Sequence, residues 1–260
     1  MHNALRVKLY FTILLILFAQ LKNYAQNTDS IGNILKKEMA TVHTGKEVIS
    51  KLDNITKSVP TDLYHFDEHF EIITIFDRDV DFNIYHQRIY FFNFGDDFQI
   101  DILKRNDTIL LYTINISTWG SENNSVLVSK HFIKENKSVN EYINNRNEFY
   151  HTNKNLKDIL YEMSLNYEYA INAGYGYSLT EKAKDIQTLL ELHNYSEVYG
   201  YLKSFNIENQ AYGIYGLHLM KKKKLKIPKE IKRIAKHIKK RNSDTLICAG
   251  CICGIVQKIF

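Results

Sequence analysis

The hydrophobic period changes twice along the chain. Between residues 30 and 57, Ile31, Ile34, Leu35, Val48, Leu52 and Ile55 fall mostly three or four apart, which predicts a weak helical stretch closed by Pro60. From residue 70 the period becomes two. Segments 70–76, 88–94, 98–104, 108–117 and 125–133 alternate and are rich in β-branched and aromatic side chains, so five strands are expected. Arg105, Asn106 and Asp107 form a tight polar turn that should make a hairpin of 98–104 and 108–117. Consecutive strands with short links favour an antiparallel meander.

From about 138 the helical period returns. It predicts helices at 139–149, 155–171, 179–192, 196–204, 207–222, 228–241 and 244–258. Ser138 with Glu141, and Ser178 with Glu181, fit a capping box in which the hydroxyl accepts from a free backbone amide and the acid reaches back. Gly174 to Tyr177 (Gly-Tyr-Gly-Tyr) reads as a hinge or linker. The expected class is therefore α+β. An N-terminal helix and an antiparallel β-meander occupy 26–137, and an α-helical region occupies 138–260.

The stretch 202–219 ends one helix, turns, and starts another with Ala211, Gly213, Ile214, Gly216, Leu217 and Leu219 on its packing face. It resembles a HEAT-type helical repeat, and the resemblance covers residues 179–258. It implies stacked helix pairs that share a continuous core and present an extended surface.

Residues 1–25 read as a cleavable secretory signal. Arg6 and Lys8 precede an apolar run from Leu9 to Ala19, and a polar stretch ends at Ala25. About twenty apolar residues are needed to span a bilayer, so the run is short for an anchor. Cleavage after Ala25 would leave a periplasmic or secreted chain with no transmembrane segment; an uncleaved anchor is the alternative. As a whole the chain resembles exported proteins of Gram-negative bacteria with AT-rich genomes, which supplies no active site.

Composition adds two constraints. Apolar residues are 45% and aromatics 13%, enough for a core and too many for a disordered chain. The formal charge of +5 falls to +2 once Arg6, Lys8 and Lys22 are removed. Residues 221–241 hold twelve Lys or Arg against Glu230 alone, so the remainder is acidic. Ile231, Ile234, Ala235 and Ile238 share one face of this segment. Lys222, Lys224, Lys232, Arg233 and Lys236 are candidate contacts to an anionic surface or an acidic envelope protein. The alternative is a solvated outer helix. Nucleic acid is a poor partner for an exported chain.

Three further motifs carry possible chemistry. His65, Glu68 and His69 match H-x-x-E-H, which needs a helix to align both imidazoles on a metal. The strand pattern from Phe70 leaves little room for one, so a polar turn is favoured. Asp77, Asp79, Asp81 and Asn83 alternate like the first half of a calcium loop. Phe82 stands where an EF-hand needs glycine and Arg88 where it needs glutamate. Cys248, Cys251 and Cys253 offer a CxxC, a local disulfide, or three small residues on a last helix. There is no GxSxG elbow, phosphate loop or dinucleotide fingerprint. The expected function is non-catalytic binding without a cofactor. The competing expectation is an envelope enzyme, either a metal-dependent hydrolase or a thiol-redox protein.

Overall fold

A computed structural model describes residues 35, 37–58, 71–92, 96–118, 126–174, 176 and 178–260. The predicted signal segment and the His65–His69 motif lie outside the described residues.

The chain is α+β. Helix α1 (Gly45–Ser58) precedes five strands: β1 (Glu71–Asp81), β2 (Ile84–Phe92), β3 (Asp96–Arg105), β4 (Thr108–Thr118) and β5 (Val126–Ile133). All neighbours are antiparallel and spatial order equals chain order, so the meander forms as its alternation predicts. Phe82 and Asn83 turn β1 into β2 with both φ positive, at 56° and 60°. That backbone twist suits a two-residue hairpin. The expected helical stretch over 30–57 is interrupted. Thr44 and Glu47 make a capping box that starts α1 afresh, with the Glu47 carboxylate accepting from His43 N at 2.8 Å.

Helices α2 (Asn136–Tyr150), α3 (Leu156–Ser164), α4 (Glu181–Glu191), α5 (Tyr195–Leu202), α6 (Ile207–Lys222) and α7 (Lys229–Arg241) follow. Strands β6 (Asn172–Ala173) and β7 (Ser178–Leu179) form a small ribbon between α3 and α4. Its turn passes through Gly174 and Gly176 at φ 77° and 88°, where the sequence suggested a hinge. Neither predicted serine caps a helix. Glu135 precedes α2 and buries Ser138 inside it, while Thr180, not Ser178, caps α4 by accepting from Ala183 N at 3.3 Å.

The last expected helix, 244–258, is instead a hairpin of β8 (Thr245–Ala249) and β9 (Ile252–Gln257). Thr245, Ile247, Ile252, Ile255 and Val256 favour extended backbone. Gly250 and Gly254 take φ of 64° and 82°, which no helix accommodates. The predicted helix 155–171 ends at Ser164 for a related reason. Residues 169–174 run parallel to β8, with Tyr169 N donating to Leu246 O at 2.7 Å and Gly174 N to Gly250 O at 2.9 Å.

The sheet has two unlike faces. Ile89, Phe98, Ile100, Ile102, Tyr112, Ile114 and Ile116 pack beneath α1 with Leu35, Met39, Val42, Val48 and Leu52. The opposite face is apolar only at one end. There Val80, Ile84, Leu103 and Leu111 meet Val139, Tyr142, Ile159, Phe205 and Ile207. A single core thus joins the strands to the helices. Beside it α6 packs on α5 so closely that a Cβ on Gly213 would lie 2.7 Å from Leu202 N, and one on Gly216 2.5 Å from Val198 Cγ1. The small residues singled out in the sequence do let these helices approach.

Candidate functional site

Three groups of polar side chains could carry chemistry, and they differ in what their charges already touch.

The first lies on the mixed face of the sheet and is sealed. Arg88 and Asp101 are cross-strand partners on β2 and β3. Arg88 Nε and His86 Nε2 each bind Asp101 Oδ1 at 2.7 Å, and Gln99 donates to Oδ2. Burial would raise the Asp101 carboxyl, but Arg88 and His86 outweigh it and lower it to about 2. Burial drives His86 down to about 4 against the pull of Asp101. Its Nδ1 has no hydrogen-bond partner among the described residues, so a second proton there would find no acceptor. The other end of Arg88 caps α3, binding Met163 O and Leu165 O at 2.5 and 3.2 Å. One strand over, Arg78 forks onto Glu208 at 2.5 and 3.1 Å, and Glu208 also accepts from Leu246 N at 2.9 Å.

Asp81 belongs to the same system. It sits at a bulge with φ 122°, strained for a non-glycine residue. Four donors hold it: Arg146 at 2.6 Å, Tyr150 and His237 at 2.8 Å each, and Arg241. Burial opposes ionisation, but Arg241, His237 and Arg146 prevail and hold the carboxyl well below the usual range. The structure therefore does not bring the calcium-loop candidates together. Asp81 turns inward, Asp77 pairs with Lys104 at 2.7 Å, and Asp79 accepts from the Asp81 amide at 2.8 Å. These buried charges are compensated and closed to solvent, which suits anchoring rather than catalysis.

The second group is open. Helices α6 and α7 enclose a groove of about 540 Å³. Ile214, Leu217, Ile227 and Ala235 make its floor, and His218, Lys221, Lys232, Lys236 and Lys239 its rim. Among the described residues the side chains of Lys221, Lys232 and Lys236 have no hydrogen-bond or ion-pair partner. The strong separation of apolar and charged faces on α7 arises from Ile231, Ile234, Ala235 and Ile238 turning inward. Of the five predicted contacts, Lys232 and Lys236 line the groove. Lys222 ends α6 and Lys224 lies in the following turn, both exposed. Arg233 points elsewhere: it binds Phe149 O at 3.0 Å and lies over the Phe149 ring at 4.7 Å. It lines a neighbouring cavity of about 620 Å³ with Phe82, Glu148, His151, Lys229 and Glu230. There charges of both signs face each other, so that cavity favours neither anion nor cation. Sequence reasoning missed His218, while Lys221 and Lys239 lay in the basic 221–241 stripe without being among the five named contacts. The spacing of Leu217, His218 and Lys221 on α6 was visible, but their meeting with α7 was not.

The third group is the terminal hairpin. Cys248 and Cys253 form a disulfide across it, and Cys251 at its tip is free and exposed. The cysteines are thus neither buried nor on a helix, contrary to one of the three expectations. Glu168 reaches over from residues 165–171, and its Oε2 lies 2.7 Å from Cys248 Sγ. Its carboxyl and the two disulfide sulfurs lie within 4.8 Å of one another. No helix among the described residues is long and apolar enough to cross a membrane. Comparison with family models, with curated proteins and with solved structures finds no match to this chain.

Proposed function

We propose that this protein is an exported, non-catalytic binding module whose α6–α7 groove takes an anionic partner, either a lipid surface or an acidic envelope protein. The observation that carries the reading is a rim of four lysines over an apolar floor, three of them without a side-chain partner among the described residues. Isolated like charges repel one another, so four lysines around one groove raise the local potential and favour a polyanion. The apolar floor adds affinity for a ligand that is amphiphilic as well as acidic. The stacked helices α4–α7, which resemble a HEAT-type array in sequence, would serve as a rigid support.

Co-sedimentation of the purified mature chain with vesicles tests it. Binding to vesicles containing an anionic phospholipid should exceed binding to neutral ones. It should weaken as salt rises, because the screening length shrinks from about 8 Å at physiological salt to about 3 Å at 1 M. Reversal to Glu at Lys221, Lys232, Lys236 and Lys239 should abolish it. Capture of polyglutamate without vesicle binding would select the acidic-protein form. Salt-independent binding, or binding that survives the four reversals, would overturn the proposal. The second reading, a thiol-active protein, is favoured by one specific observation: Glu168 against the Cys248–Cys253 pair.

A further inference from the structure

A disulfide sulfur carries no hydrogen. Glu168 Oε2 lies 2.7 Å from Cys248 Sγ, and any hydrogen bond between them has the carboxyl as its donor. Glu168 immediately precedes the segment that runs parallel to β8: Tyr169 N donates to Leu246 O, and Cys248 N to Tyr169 O at 3.2 Å. The Tyr212 hydroxyl sits between the carbonyls of Glu168 and Ala170 at 3.1 and 3.0 Å. The backbone around Glu168 is thus held on β8 and on Tyr212, and its carboxyl meets the Cys248 sulfur and the Gly254 amide. Burial keeps it protonated more readily than usual, the Gly254 amide on β9 opposes this, and the Glu208 carboxylate on α6 reinforces it. Glu208 is itself paired with Arg78 of β1. The two sulfurs are unlike in access, since Cys253 is exposed and Cys248 half-buried.

Resting on the second, thiol-active reading and independent of the groove, we propose that the Cys248–Cys253 pair is a thiol-exchange site, with Glu168 donating a proton to the departing Cys248 sulfur. The co-reactant is a thiol, either small or on a peptide. Its thiolate attacks Cys253 Sγ, the accessible sulfur, and a new S–S bond forms there. The Cys248–Cys253 bond breaks, and its electron pair goes to Cys248 Sγ. The Glu168 carboxyl proton moves to that sulfur, which leaves a Cys248 thiol, a Glu168 carboxylate and a mixed disulfide on Cys253. The incoming thiol is oxidised and Cys248 is reduced. An easier departure of the leaving sulfur speeds exchange, and a positioned acid supplies that ease. Cys251 is a bystander in this step. It can later attack the mixed disulfide and release the co-reactant, which closes a Cys251–Cys253 pair.

The test uses the full mature chain with reduced glutathione between pH 5 and 9. Samples are quenched by alkylation, and mass spectrometry locates each free or mixed sulfur. Rates are expressed per glutathione thiolate, which removes the titration of the nucleophile. The wild-type constant should fall about tenfold or more as pH rises and Glu168 loses its proton. Glu168→Gln should be flat across the range and about tenfold or more below wild type at pH 5. Cys251→Ser should retain the wild-type profile, and the mixed disulfide should sit on Cys253. A flat wild-type profile overturns the proposal even if Glu168→Gln fails to fold. Glutathione found on Cys248, or loss of exchange in Cys251→Ser, overturns it equally.

Discussion

The sealed face of the sheet and the open groove between α6 and α7 are both rich in charge, and they use it in opposite ways. Asp81, Asp101 and Glu208 are each met by at least one guanidinium, and none is more than 1% exposed. The side chains of Lys221, Lys232 and Lys236 are exposed and have no hydrogen-bond or ion-pair partner among the described residues. A buried charge without a counter-charge is costly to the fold, whereas a solvated one costs almost nothing. Charge that the fold requires is therefore satisfied inside, and charge left over on the surface is free to recruit a ligand. On this reasoning the His86–Asp101–Arg88 cluster, despite its superficial likeness to catalytic machinery, is a structural tie.

The largest effect should follow from breaking the sealed side. Asp81→Ala would leave Arg146 and Arg241 buried side by side. A loss of about 3–5 kcal/mol in unfolding free energy is expected, measured by urea denaturation. A loss below about 1 kcal/mol would place Asp81 with the surface charges instead.

Acid should act on the same side. His86 titrates near 4 in the folded chain and near 6.5 when unfolded. The unfolded state takes its proton first, so stability falls as pH drops from about 6.5 to about 4. Asp101, lowered to about 2 from 3.8, contributes stability that is lost as pH falls further through that window. Urea midpoints at pH 7, 5 and 3 should decline in that order, and His86→Gln should flatten the step between 7 and 5.

A smaller effect should come from packing alone. Gly213→Ala pushes a methyl onto the Leu202 backbone and should cost about 1–3 kcal/mol. Gly200→Ala meets nothing within 4 Å on the same helical layer and should be neutral or stabilising by up to about 1 kcal/mol. Thermal midpoints of the two variants separate tight from open glycines.

The smallest effect on stability belongs to the groove. Reversing Lys221, Lys232, Lys236 and Lys239 together should change the unfolding free energy from urea denaturation by no more than about 0.5 kcal/mol per site, while vesicle binding disappears. Unfolding by these reversals would show that the lysines have structural partners after all.

The strands were legible because alternation is a local signal, and all five were found, although β1 runs on to Asp81 and β2 begins at Ile84, so the β1–β2 hairpin was not placed. Arg88 and Asp101 read as polar positions on those strands, which ordinarily marks a wet face, while Arg78 and His86 lay outside the expected strands. Nothing nearby in sequence announces that Glu208 lies 130 residues from Arg78, or that α3 ends on Arg88. The lysine stripe was visible as composition, but its floor needed Ile214 and Leu217 from another helix. The hairpin was misread because Ala249, Gly250 and the cysteines fit a small-residue helix face. The positive φ at Gly250 and Gly254 that excludes a helix is not encoded in spacing.

The meander joins neighbours in sequence, while the ties that fasten residues 208–244 to it span 130 to 166 residues. Closing long loops is slow relative to pairing adjacent strands. A chain emerging from its N-terminus can therefore build the sheet long before residues 241–246 arrive to complete the pairing around Asp81 and Glu208. During that interval a half-polar sheet face waits uncovered. A chain interrupted before Arg241 should thus persist as an aggregation-prone intermediate rather than as a smaller folded unit.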